Sequence, residues 1–168
     1  MSTARSKKLM SLQEEYKDLI GRPWTGRRIF GCYNIIRDYY RETRGRELAD
    51  FNARKVYSFT PEAIDEENGE WVYRSEWGDM VDYTDLQKDD ILLFRLYTTA
   101  LGGSYSAPKD RSPNHGGVYL GDGYMLHHPY DELSQLVDLY SKGFEIYQVA
   151  CVGAVSYTHL TLPTICSV

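Results

Sequence analysis

A cysteine becomes a nucleophile when its thiol is drawn toward the thiolate and an imidazole stands within hydrogen-bond reach, itself held by a third group. Two segments of this chain could supply those parts. Cys32 stands at the start of Gly31 to Arg44, where Ile35, Ile36, Tyr39 and Tyr40 recur at helical spacing. The free backbone N–H groups and dipole of a helix start favour an anion there. A structural cysteine packed with Ile35 and Ile36 is the plainer alternative. What weighs against it is Asn114-His115 and the apolar run behind it, because His115 stands where a long loop meets a strand. Gly116 and Gly117 would leave its surroundings open to a substrate backbone.

The orienting group depends on the register of a hairpin, since neighbouring strand residues point to opposite faces. A two-residue Asp122-Gly123 loop would put His128 on the His115 face. A three-residue Gly121-Asp122-Gly123 loop would put His127 there. Only the longer loop aligns Val118 and Leu120 with Tyr124 and Leu126 as one apolar face. His115, Tyr119, Met125 and His127 then share the other, which selects His127. A metal is the rival use of the histidines. His127 and His128 point apart on a strand, however, and structural zinc needs four ligands. No metal or cofactor is expected.

The elements that position these residues can be read on either side. Ser11 to Ile20 predicts a short amphipathic helix through Leu12, Tyr16, Leu19 and Ile20, stopped by Gly21. Arg37, Arg41 and Arg44 lie off the apolar stripe of the next helix, the pattern of a solvated face, and Gly45 is its stop. Pro61 to Glu70 is acidic and predicts a surface excursion. Ile91-Leu92-Leu93-Phe94 reads as a buried strand after an Asp89-Asp90 corner, and Tyr97 to Asn114 as a long loop. Helices first and strands later predict an α+β domain. Tyr119, Tyr124 and Tyr105 could line a glycan groove, although tyrosines more often pack a core with the hydroxyl outward.

The whole chain, 168 residues with 42% hydrophobic and 26% charged, is of single-domain size. Its formal charge of −5 argues against a nucleic-acid partner. No apolar run approaches the ~18 residues of a membrane helix, and Met1 to Met10 shows no signal peptide, so membrane insertion and export are not expected. The odd count of 3 cysteines suggests reduced thiols. Val155 to Thr164 is similar to a translated sequencing-library adapter. The expected organisation is therefore a flexible N-terminus at 1–10, a domain at 11–154 and a non-native tail at 155–168, with His159 and Cys166 set aside.

In their order, several segments resemble the NlpC-type cysteine peptidases, most closely those of phage tail assembly or tail-tip proteins. They are Gly21-Arg22-Pro23-Trp24, Cys32 through Tyr40, Leu86 through Leu93, Asn114 through Gly123, Leu126-His127-His128 and Leu133-Ser134. The resemblance implies a papain-like α+β fold in which the cysteine-bearing helix packs on an antiparallel sheet. It makes Cys32 the nucleophile, His115 the base and then acid, and His127 the orienting group. Trp24, Tyr33, Asn114 and Gly116 become the expected substrate-binding or oxyanion positions. The implied reaction is hydrolysis of peptide bonds in peptidoglycan stem peptides through a thioester. The implied partners are the bacterial wall and other phage tail proteins, and the implied route is synthesis in the host cytoplasm and carriage to the wall on the virion tail. A structural tail-tip protein of the same fold with little hydrolytic activity is the alternative. Three departures bear on specificity and rate: Gly31 stands where the family usually has an acid, Trp24 replaces a tyrosine, and the loop from Trp24 to Cys32 is short.

Overall fold

In the computed structural model, the residues described are 3–24, 31–48, 72–73, 86–94, 96–98, 104–106 and 115–156. Among the described residues, two helices precede the strands. Helix α1 spans Thr3–Glu15 and α2 spans Gly31–Arg44. The strands are β1 (Val72–Tyr73), β2 (Ile91–Phe94), β3 (Leu96–Thr98), β4 (Ser104–Ser106), β5 (His115–Gly121), β6 (Tyr124–His127), β7 (Gln135–Asp138) and β8 (Cys151–Ser156). A six-residue helix, α3 (Glu145–Ala150), leads into β8. One six-stranded antiparallel sheet has the order β1-β8-β2-β5-β6-β7, and β3 and β4 form a separate ribbon. The α+β expectation holds.

Strand alternation divides the core in two. Ile35, Ile36 and Tyr39 of α2 pack with Ile91, Leu93, Val118, Leu120, Tyr124 and Leu126. Across the sheet, Leu92, Phe94, Tyr119, Met125, Val137 and Ala150 form the second cluster. The cysteine-bearing helix thus lies on the sheet through its predicted apolar stripe. Tyr119 and Tyr124 are buried, so neither lines a glycan groove; the side chain of Tyr105 is outside the described residues.

Several boundaries differ from the sequence reading. The first helix begins at Thr3 and ends at Glu15, and Tyr16 to Ile20 form turns, although Leu12, Tyr16 and Leu19 are buried as expected. Most of it therefore falls in the segment expected as a flexible lead. The cause is tertiary: Arg5 Nε donates to Asp138 Oδ2 at 2.6 Å, and its guanidinium lies 4.7 Å from the Tyr124 ring centre. The predicted loop 97–114 contains β4 and part of β3. Val155 and Ser156, set aside with the tail, pair with Tyr73 and Val72; residues 157–168 lie outside the described residues, as does Pro61 to Glu70.

The arginine face of α2 is partnered rather than merely solvated. Arg44 contacts both carboxylate oxygens of Asp89 at 2.8 and 2.9 Å, and Arg37 reaches the Leu48 carbonyl at 3.3 Å. Asp89 also accepts from the Tyr39 hydroxyl while holding a φ of +80°. These contacts hold a costly backbone conformation and lock the entry of β2 to the end of α2.

Candidate active site

The β5–β6 hairpin sets the register of the histidines. Gly117 pairs with His127, Val118 with Leu126 and Tyr119 with Met125, which is the pairing that puts His115 and His127 on one face. Near the tip a bulge at Leu120 shifts the ladder, so that Gly121 pairs with Tyr124. Asp122 and Gly123, with φ of +54° and +84°, make a two-residue loop, and Gly121 takes φ +91° in the bulge. The expected three-residue loop is thus a two-residue loop plus a bulge. The extra residue preserves the register in the strand body.

His115 Nε2 lies 3.0 Å from His127 Nδ1. The rings stand nearly perpendicular, at 84° with centres 5.2 Å apart. His128 points away from them: its Nε2 lies 2.8 Å from the Glu132 carbonyl oxygen, and its ring meets Trp24 edge-on at 5.1 Å.

Cys32 is buried, at 3% exposure, in the first turn of α2. Its sulfur faces the backbone N–H groups of Gly116, Cys32 and Tyr33, which favour the thiolate. Burial outweighs them and pushes the thiol up to about 11. The thiol therefore abuts β5 at the residue after His115. Among the described residues no hydrogen bond joins Cys32 to the His115 ring, and such contacts often tighten only when substrate is bound. Burial, with the charge of His128 adding to it, lowers His115 to about 4. Burial and then His115 and His128 hold His127 well below the usual histidine range. All three shifts favour the neutral forms, thiol and imidazole alike.

Gly116 and Gly117 serve packing. A Cβ on Gly116 would meet Ile36 Cδ1 at 3.2 Å and the Leu92 carbonyl oxygen at 3.3 Å, so α2 lies directly on the strand there. A Cβ on Gly117 would meet Met125 Sδ at 2.5 Å and the Leu126 carbonyl oxygen at 3.0 Å. The space predicted for a substrate backbone is filled by the protein itself. The Tyr33 side chain is 1% exposed, which leaves its backbone N–H as the group that can act at the sulfur. Trp24 is partly buried between His128 and Tyr130, the latter ring at 5.4 Å. Asn114 lies outside the described residues.

The Trp24 segment is clipped to the sheet by Ser134. The Ser134 hydroxyl accepts from Arg22 N at 2.9 Å and donates to the Leu19 carbonyl at 2.6 Å. Backbone bonds join Gly21 N to Ser134 O and Ser134 N to Arg22 O. The Arg22 guanidinium bridges Asp38 and Glu42 on α2. One residue thereby ties the Trp24 segment to the cysteine helix and, through its backbone, to the start of β7.

Tyr147 of α3 does not stand out as a site residue in the sequence. Its ring lies perpendicular to His127, with centres 5.1 Å apart, and 6.3 Å from His115. Phe94 at 5.4 Å and Phe144 at 6.2 Å complete the aromatic wall. Burial, with the charge of Glu132 adding to it, pushes the Tyr147 phenol up to about 12. Only the Phe144–Tyr147 spacing hints at an element here.

Comparison with known proteins finds no matching family model and no match among curated proteins. Among solved structures, the chain is similar to an NlpC/P60 family protein from Bacillus cereus ATCC 10987, with 30% identity over 49% of this chain and a TM-score of 0.31. The chain spans 23% of that protein's length. It is also similar to the NlpC/p60 domain of the peptidoglycan hydrolase SagA, with 19% identity over 88% of this chain and 97% of that one, and a TM-score of 0.44.

Proposed function

We propose that this chain is a phage tail-associated cysteine endopeptidase that hydrolyses peptidoglycan stem peptides. The observation that carries the reading is the 3.0 Å contact between His115 Nε2 and His127 Nδ1, beside a helix whose first turn holds Cys32. In this mechanism His115 Nδ1 takes the Cys32 proton as the sulfur attacks the scissile carbonyl. His127 holds the ring and spreads the imidazolium charge. The tetrahedral oxyanion draws on backbone N–H groups at the start of α2, that of Cys32 among them. Collapse returns the proton from His115 to the leaving amine and leaves a thioester on Cys32. Water, activated by the same imidazole, then releases the acid and regenerates the thiol. The substrate class and the tail location rest on the motif resemblance.

The deciding experiment is digestion of purified peptidoglycan by wild type and Cys32→Ala, with released fragments read by mass spectrometry. Stem-peptide fragments absent from the variant are expected. A folded wild type that releases none would favour the structural tail-tip role. Proteomics of purified virions tests the tail assignment separately.

A further inference from the structure

We propose that Tyr147 is a positioning residue that sets the tautomer of the His127–His115 pair by receiving the His127 Nε2–H on its ring face. The proposal rests on the cysteine peptidase reading above and deepens it. For His115 to take a proton at Nδ1, its own proton must sit on Nε2, which points at His127 Nδ1. His127 Nδ1 must then accept, so the His127 proton sits on Nε2. That Nε2 atom is fully buried and has no hydrogen-bond partner among the described residues. The Tyr147 ring stands perpendicular to the His127 ring, with centres 5.1 Å apart.

The electron-rich face of a tyrosine attracts an N–H and repels a bare lone pair. The opposite tautomer, with His127 donating from Nδ1, would aim an Nε2 lone pair into that face and load His115 with a proton at the atom needed as base. The ring thus favours the productive arrangement over the unproductive one. Its placement is well defined. Tyr147 N bonds to the Phe144 carbonyl at 3.1 Å, Cys151 N–H bonds to the Tyr147 carbonyl, and Gln148 Nε2 holds the Leu139 carbonyl at 2.6 Å.

The test reads the folded protein directly and needs no substrate. Long-range 1H–15N spectra of the 15N-labelled full chain at neutral pH, assigned with single histidine variants, should show both His115 and His127 protonated at Nε2. The His127 Hε2 proton should be shifted upfield by the Tyr147 ring current. Tyr147→Phe should keep both signatures; Tyr147→Leu should lose the upfield shift and move His127 toward a tautomer mixture. Peptidase kcat should fall roughly three- to five-fold in the Leu variant, the scale of a weak N–H···π bond, with KM unchanged and Phe restoring the rate. A wild-type His127 protonated at Nδ1, or an Hε2 without the upfield shift, overturns the proposal even if Tyr147→Leu does not fold. An unchanged tautomer in a folded Leu variant also overturns it. Absence of hydrolysis with the tautomer signatures intact would count against the peptidase reading alone.

Discussion

At the residue scale, adjacent histidines have separate work. His127 faces His115, while His128 is held by the Glu132 carbonyl and the Trp24 ring. His127→Ala should reduce kcat by about a hundred-fold or more, the range lost with a general acid–base unit. His128→Ala should lower the midpoint, because it leaves the Glu132 carbonyl unpaired and Trp24 unsupported, at about 1–3 kcal/mol. Kinetics and urea melts of both variants check the pair; equal losses of kcat would contradict the division. The amino-acid pattern alone carries this division, because Val118, Leu120, Tyr124 and Leu126 can share a face in only one register. The bulge at Leu120 is not legible there, since only the backbone at Gly121 and Asp122 reveals how the loop absorbs the extra residue. Tyr147 is equally silent. Nothing local distinguishes a tyrosine against the His127 ring from one filling a core.

At the element scale, the cysteine helix is held from three directions. Its apolar stripe lies on β2 and β5, Arg44 reaches Asp89 at the head of β2, and Arg22 bridges its middle to the Trp24 segment. The stripe and Gly45 are readable from periodicity and stop chemistry. The arginine partners are not, because Asp89 is far away in sequence and becomes a partner only once β2 is placed. Gly116 misleads for a similar reason: its openness is consumed by Ile36 of the packed helix. Ser134 offers the sharpest test of how elements are joined here. Ser134→Ala removes a buried hydroxyl that serves both Arg22 N and the Leu19 carbonyl, and should destabilise by about 1–3 kcal/mol. Trp24 should loosen with it, which predicts a higher KM at nearly constant kcat. Urea melts and steady-state kinetics on one preparation separate the two effects. An unchanged stability would mean the backbone bonds between residues 21–22 and 134 suffice.

At the scale of the whole molecule, the shifted groups of the site make stability depend on pH. His115 ionises near 6.5 in the unfolded chain and near 4 in the folded one, so the unfolded chain binds the proton first. Its contribution is fully present above pH 6.5 and is lost as pH falls toward 4, on the order of 1.4 kcal/mol per unit of separation; His127 acts in the same direction. Asp138, lowered mainly by Arg5, titrates below its ordinary 3.8 and leaves that window to the histidines. Cys32 runs the other way. Its thiol ionises near 9 unfolded and near 11 folded, so stability falls as pH rises through that interval. Urea unfolding measured from pH 4 to 11 should therefore give a plateau between about 6.5 and 9 with a falling limb on each side. Replacing His115 and His127 by Asn should flatten the acid limb, and Cys32→Ala should flatten only part of the alkaline one, since the raised phenol of Tyr147 also disfavours ionisation there. An acid limb that persists undiminished in the double histidine variant would place the proton uptake elsewhere, and the buried neutral pair would cease to account for it.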